Sequence, residues 1–263
     1  LRPLSFGQRL KLLRQRAFAL LRVGGDVDVR IEATADGAIV RVEGRTVAVP
    51  SPWRWKLYRK GWAARLDRLE REYGVGRHFT LRPGDVVLDV GANVGEFAHV
   101  CARYGAAAYC LEPDPSAFVC LRRNIADLPQ AMAFDFAAWN EDGEIDFFLA
   151  PDRADSSAFA AGPGVRRPAM RIESFLREAG VTRVDLLKCD AEGAEPEVLE
   201  GVGGAFAMVR GVALDTGPER AGARTDAACA GLLRRNGFIV VHETVGARLM
   251  TYGLRPDAGR GGA

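Results

Sequence analysis

The chain contains no apolar run near the roughly 20 residues that a membrane-spanning helix needs, and its 263 residues hold no CxxC pair. Its five cysteines, Cys101, Cys110, Cys120, Cys189 and Cys229, are odd in number and lie mostly inside apolar runs. That excludes a zinc knuckle, a dithiol redox site or a disulfide framework, and leaves reduced core thiols as the expectation. Charge of one sign is also scarce: 36 Lys and Arg against 34 Asp and Glu leave a net +2, too weak a field to argue for nucleic acid as partner. No GxGxxG fingerprint of a dinucleotide-binding loop occurs. Nothing at the start has the order of a secretory signal, so a cytoplasmic protein is expected.

What is present, 48% apolar and 27% charged residues, suits a globular chain with one main α/β core and an added segment. Residues 8–22 place Leu10, Leu13, Leu20 and Leu21 among five basic residues. This is an amphipathic helix expected to pack on its own domain, with weak peripheral contact to an anionic membrane as the alternative. Residues 27–50 alternate with a period of two around Asp36-Gly37 and Glu43-Gly44, which predicts a small antiparallel meander. Ser51-Pro52 opens a helical stretch to about Tyr73 carrying Trp53, Trp55, Tyr58 and Trp62; these aromatics are expected mainly in the core, or else lining an acceptor pocket.

From Gly84 onward strands and helices alternate. The apolar run Val86–Val90 predicts a buried parallel strand, Val94–Tyr104 a helix and Ala107–Leu111 a second strand. Pro115–Ile125 reads as a helix, Ala131–Ala137 as a third strand and Glu144–Leu149 as an extra one. Residues 151–168 have no clear period and are expected to form a loose functional loop, with Ser156 and Ser157 as part of a cover. Further strands at 184–189, 209–214 and 238–242 alternate with helices, and 248–252 returns antiparallel. The fold class is therefore a doubly wound, mostly parallel α/β sheet. The expected divisions are an extension over 1–80, a cofactor-binding domain over 81–255 and a flexible tail over 256–263.

Open α/β sheets bind ligands beyond the carboxyl ends of their strands, which directs attention to Asp89-Val90-Gly91-Ala92-Asn93-Val94-Gly95. Gly91 and Gly95 let backbone approach a ligand closely. A carboxylate at Asp89 would repel a pyrophosphate but attract an α-ammonium group, so the loop favours S-adenosyl-L-methionine over NAD. Glu112 follows 23 residues later at the next strand end, where an acidic group accepts hydrogen bonds from ribose hydroxyls. Phe136 and Ala137 are placed to border the adenine, and Asp135 to meet its amino group.

The segment Leu186-Leu187-Lys188-Cys189-Asp190-Ala191-Glu192-Gly193-Ala194-Glu195 resembles the LKxDxEGAE signature of the FkbM-type methyltransferases. The blocks Gly84–Gly95 and Glu112-Pro113, with Leu121 and Asn124, are similar to that family's earlier motifs. Cys189, Ala191, Glu173 and Asp215 depart from residues common there. The resemblance implies a seven-stranded, Rossmann-like class I methyltransferase fold, adenosylmethionine as donor, and O-methylation of a hydroxyl on a sugar, glycan or secondary metabolite. It carries Asp89, Gly91, Asn93, Gly95 and Glu112 over as cofactor contacts, and sets Lys188, Asp190, Glu192 and Glu195 toward the reacting end.

An alcohol acceptor is almost un-ionised at neutral pH, so a base contributes ~10²-fold or more. Asp190 is the first candidate and Glu192 the second, with Lys188 holding Asp190 ionised or binding an acidic acceptor; scaffolding around the next helix start is the competing role for the trio. No metal is expected, the alternative being Asp190 with Asp215 on Mg²⁺. The three histidines are expected to be structural. A non-catalytic adenosylmethionine-binding scaffold and an NAD-dependent oxidoreductase are the rival functions.

Overall fold

The computed structural model describes residues 22–23, 27–34, 37–149, 158–159 and 164–256. The basic helix expected over 8–22, the Ser156-Ser157 cover and the tail beyond 256 fall outside those residues, apart from the first strand at Arg22–Val23. The chain divides into two compact units, residues 1–65 and 66–263.

In the first unit β1 (Arg22–Val23), β2 (Val29–Thr34), β3 (Gly37–Val42) and β4 (Arg45–Val49) form an antiparallel meander in sequence order. Its alternation buries Val29, Ile31, Val40, Val42 and Val47. The expected continuous helix after Pro52 is instead a 3₁₀ segment, Pro52–Tyr58, followed by α1 (Trp62–Glu72). The break is at Gly61, whose φ of 100° no helix accommodates. Glu43 Oε2 caps the restart by accepting from the Trp62 N–H at 2.9 Å. Tyr58 and Trp62 are buried as expected, whereas Trp53 is 51% exposed, with the Lys56 ammonium 5.4 Å from its ring centre.

The second unit is built on seven strands: β5 (Val86–Val90), β6 (Ala107–Leu111), β7 (Ala131–Phe134), β11 (Leu186–Cys189), β12 (Gly211–Asp215), β13 (Ile239–Val245) and β14 (Arg248–Leu254). Their spatial order is β13-β14-β12-β11-β5-β6-β7, with β14 alone running antiparallel to its neighbours. The connecting helices are α2 (Glu96–Arg103), α3 (Pro115–Asn124), α4 (Ile172–Glu178), α5 (Glu195–Val202) and α6 (Asp226–Arg235). The central strands are apolar because both their faces are covered: Leu88, Leu111, Leu187 and Leu214 are at most 1% exposed, each contributing about 2 kcal/mol by burial. The chain leaves β5 toward β6 on one side and returns to β11 on the other, so the ends of β5 and β11 form the switch point where ligands bind.

Two sequence expectations change. The third strand stops at Phe134, and Ala137–Ala138 forms β8 in a separate three-stranded sheet with β9 (Gly143–Phe148) and β10 (Gly164–Met170). Strand β10 lies in the segment expected to be loose. Its alternation turns Val165, Arg167 and Ala169 inward and leaves Arg166 and Pro168 exposed, and with an arginine on the inner side no apolar period reveals it. Arg166 faces Glu144 and Asp146 of β9 at 3.2 and 3.6 Å.

Candidate active site

The loop after β5 is shaped by backbone crowding. A Cβ on Gly91 (φ 69°) would lie 1.9 Å from the Asp190 carbonyl oxygen, and one on Gly95 (φ 86°) 2.8 Å from Leu121 and Ile125 of the α3 region. Glycine is therefore required at both positions for close approach of chain to chain. Between them Asn93 holds φ 50°, a left-handed conformation that asparagine tolerates better than most residues. Its N–H donates to Glu112 Oε2 at 2.7 Å, and the Asp114 N–H donates to Glu112 Oε1 at 2.8 Å. These bonds fix the Glu112 carboxylate at the end of β6 and leave each oxygen a second lone pair. Burial pushes Glu112 up to about 7, against the pull of the two N–H groups.

Asp89 and Lys188 face each other across the switch point. Lys188 Nζ stands 2.7 Å from Asp89 Oδ1, and it also donates to the Gly91 and Val90 carbonyls at 2.8 and 3.2 Å. Burial disfavours the Lys188 charge, but Asp89 and Asp190 outweigh it and hold the ammonium above its ordinary pKa. Both side chains are almost wholly buried, at 5% and 0% exposure. Lys188 thus ties β11 to the loop after β5. Two buried oxygens here, Asp89 Oδ2 and Asn93 Oδ1, have no hydrogen-bond partner among the described residues.

Asp190 follows β11. Its Oδ2 accepts from the Tyr73 hydroxyl at 2.7 Å and from Arg248 Nη1 at 2.7 Å. The same Arg248 nitrogen lies 2.7 Å from Asp215 Oδ2. Burial alone would raise Asp190, but Arg248 first and then Lys188 overcome it and hold the carboxyl down at about 2. Asp215, with less cationic help and the Asp190 charge beside it, is pushed up by burial to about 6. Arg248 thus places one positive charge between Asp190 and Asp215, the pair named above as alternative Mg²⁺ ligands. Asp190 Oδ1 is buried without a hydrogen-bond partner among the described residues.

The remaining expected residues sit elsewhere. Glu192 (φ 50°) is on the tight loop after Asp190. Glu195 does not face the reacting end: its Oε1 accepts from the Ala191 and Gly193 N–H groups, its Oε2 from the Thr225 hydroxyl, and it is fully buried as a loop staple. Asp135 is ion-paired with Arg167. Phe136 packs its ring 5.3 Å from Phe175 in the core, and Ala137 pairs in β8, so neither side chain joins the carboxylate cluster. The histidines have structural partners: His99 with the Asn124 carbonyl, His242 with Thr251, and His78 with Glu243 and the Tyr252 ring.

The seven-stranded order, with its reversed strand second from one edge, and the acidic ends of β5 and β6 together define a class I methyltransferase domain, the class whose donor is S-adenosylmethionine. Residues 89–212, a little under half of the chain, match the family model described as the methyltransferase FkbM domain. It is 28% identical over 141 residues to the 2-O-methyltransferase NoeI of Sinorhizobium fredii, covering 46% of this chain and 58% of NoeI. It is 29% identical over 215 residues to the 31-O-demethyl-FK506 methyltransferase FkbM of Streptomyces tacrolimicus, covering 67% and 80% respectively. The hexuronic acid methyltransferase AglP of Haloferax volcanii is 30% identical over 137 residues, covering 50% and 55%. The chain thus spans little more than half the length of NoeI and AglP.

Proposed function

We propose that the protein transfers a methyl group from S-adenosylmethionine to a hydroxyl of a glycan or other small molecule. The observation that carries this reading is the set of unmet buried oxygens at the switch point, Asp89 Oδ2, Asn93 Oδ1 and Asp190 Oδ1. Buried acceptors without donors are costly, and an ammonium and hydroxyls are the donors that would satisfy them. The residues present fit the donor: Glu112 would accept from its ribose, and Asp89 with Asn93 would receive its ammonium group. When bound, it supplies a methyl group already activated on a sulfonium, so the protein's work is chiefly alignment. Arg248 and Tyr73 hold Asp190 ionised and aimed, and its Oδ1 would orient the acceptor hydroxyl. The three relatives, two of them O-methyltransferases and one a hexuronic acid methyltransferase, support a sugar or natural-product hydroxyl. Among the described residues no helix is long and apolar enough to cross a membrane. A compartment that holds the donor and keeps buried thiols reduced, the cytoplasm, is the setting this reading asks for.

Calorimetric titration with adenosylhomocysteine, run beside NAD, tests the donor. Saturable binding of adenosylhomocysteine alone, weakened about tenfold or more by Glu112→Gln, is expected. Binding of NAD instead, or of neither ligand, would overturn the reading.

A further inference from the structure

Glu219 lies in the loop after β12 and was not singled out by any motif. Its carboxyl oxygen, one from Asp190 and one from Asp215 lie within 4.8 Å of one another. Glu219 Oε2 is buried with no hydrogen-bond partner among the described residues. The charges that act on it most are the carboxylates of Asp190, Asp215 and, from the loop beyond, Glu195, together with the guanidinium of Arg248. Arg248 is already divided between Asp190 and Asp215, so a third negative charge in this cluster has no cation of its own. Like charges this close do not all ionise; one member keeps a proton, and the member without an ion-pair partner is Glu219. Burial first, then the three neighbouring carboxylates, push Glu219 up to about 9.

We propose that Glu219 holds a proton in the resting site, surrenders it to solvent when the cationic sulfonium donor arrives, and then serves as the base for the acceptor hydroxyl. This rests on the donor reading above and deepens it. The proton balance closes. Glu219 ionises and one proton leaves. As the acceptor oxygen forms its bond to the methyl carbon and the carbon–sulfur pair returns to sulfur, the hydroxyl proton passes to the Glu219 carboxylate. The neutral thioether product then faces a neutral carboxyl, which is the resting state again. Asp190, held ionised by Arg248, is too weak a base for this step and orients the hydroxyl instead.

The test needs no acceptor. The protons released on binding adenosylmethionine and adenosylhomocysteine are measured by calorimetry at pH 8 in two buffers of different ionisation enthalpy. Adenosylmethionine is expected to release about 0.8 proton more from the wild-type protein than from Glu219→Gln, with no such excess for adenosylhomocysteine. Should the Gln variant fail to fold, the wild-type chain labelled with ¹³C at the glutamate carboxyl decides the same point: one Glu carbon titrating above pH 8 must move to lower pH with adenosylmethionine and not with adenosylhomocysteine. If both ligands bind and neither measurement sees this proton, the role of Glu219 is overturned while the donor reading stands. If neither ligand binds, both fall.

Discussion

Replacing Arg248 with Met removes one nitrogen that lies 2.7 Å from Asp190, 2.7 Å from Asp215 and 3.0 Å from the Tyr73 hydroxyl. Asp190 is 15% exposed and held at about 2, against an ordinary carboxyl at 3.8. At 1.36 kcal/mol per unit, that depression stabilises the fold by about 2 kcal/mol at neutral pH. Because the folded value is the lower one, the contribution is full above pH 3.8 and is lost as pH falls toward 2. Without Arg248 the burial of Asp190 is unopposed by its main partner, and its carboxyl rises instead of falling. The expected deficit of Arg248→Met is therefore at least about 2 kcal/mol at pH 7.5, measured by urea unfolding. It should shrink as pH falls, first because the orphaned carboxyls take up protons, and below pH 4 because the wild type gives up the Asp190 contribution. A deficit under about 1 kcal/mol, or one unchanged between pH 7.5 and 4, would refute the account of how Asp190 is held ionised.

Gly91→Ala would put a methyl group 1.9 Å from the Asp190 carbonyl at a φ of 69°, and thermal melts should show a loss of about 3 kcal/mol or more. Gly246→Ala is the control: φ is 64° but nothing lies within 4 Å, so only the backbone cost of about 1 kcal/mol should appear. Lys188→Met leaves Asp89 buried and unpaired, a loss of about 3–5 kcal/mol in urea unfolding that Asp89→Asn in the same chain should partly restore. Glu112 titrates at about 7 and ribose hydroxyls favour its ionised form. Adenosylhomocysteine affinity measured by calorimetry should accordingly weaken as pH drops from 8 to 6 and become flat in Glu112→Gln.

The half of the site around the cofactor loop could be read from the sequence because its contacts are local to one strand–helix–strand unit. Glu112 is held by Asn93 and Asp114, and Gly95 packs against Leu121 and Ile125 of the next helix region. Spacing along the chain carries that information. It did not reveal that Asp89 meets Lys188, because a strand pattern shows that a residue is buried but not which neighbouring strand end it faces. Asp135 looked open for adenine because the strand that brings Arg167 to it, β10, has no apolar period. Tyr73 and Arg248 reach Asp190 from 117 and 58 residues away, and no local signal anticipates either. Glu219 stands in a turn of Gly, Pro and charged residues, the composition of any surface loop.

The same division separates what each substitution should disturb. Lys188 bonds directly to the carbonyls of Val90 and Gly91, so its removal loosens the loop that shapes the donor site. Arg248 touches Asp190, Asp215 and Tyr73, all on the side assigned here to the acceptor. If the donor is held by the β5–β6 side and the acceptor by the ends of β11 and β12, Arg248→Met should leave the adenosylhomocysteine Kd within about threefold of wild type at a temperature where both are folded, whereas Lys188→Met should weaken it tenfold or more. Equal losses from the two substitutions would mean that the carboxylate cluster and the cofactor loop form one energetic unit, and the separate roles argued for Glu112 and Asp190 would not hold.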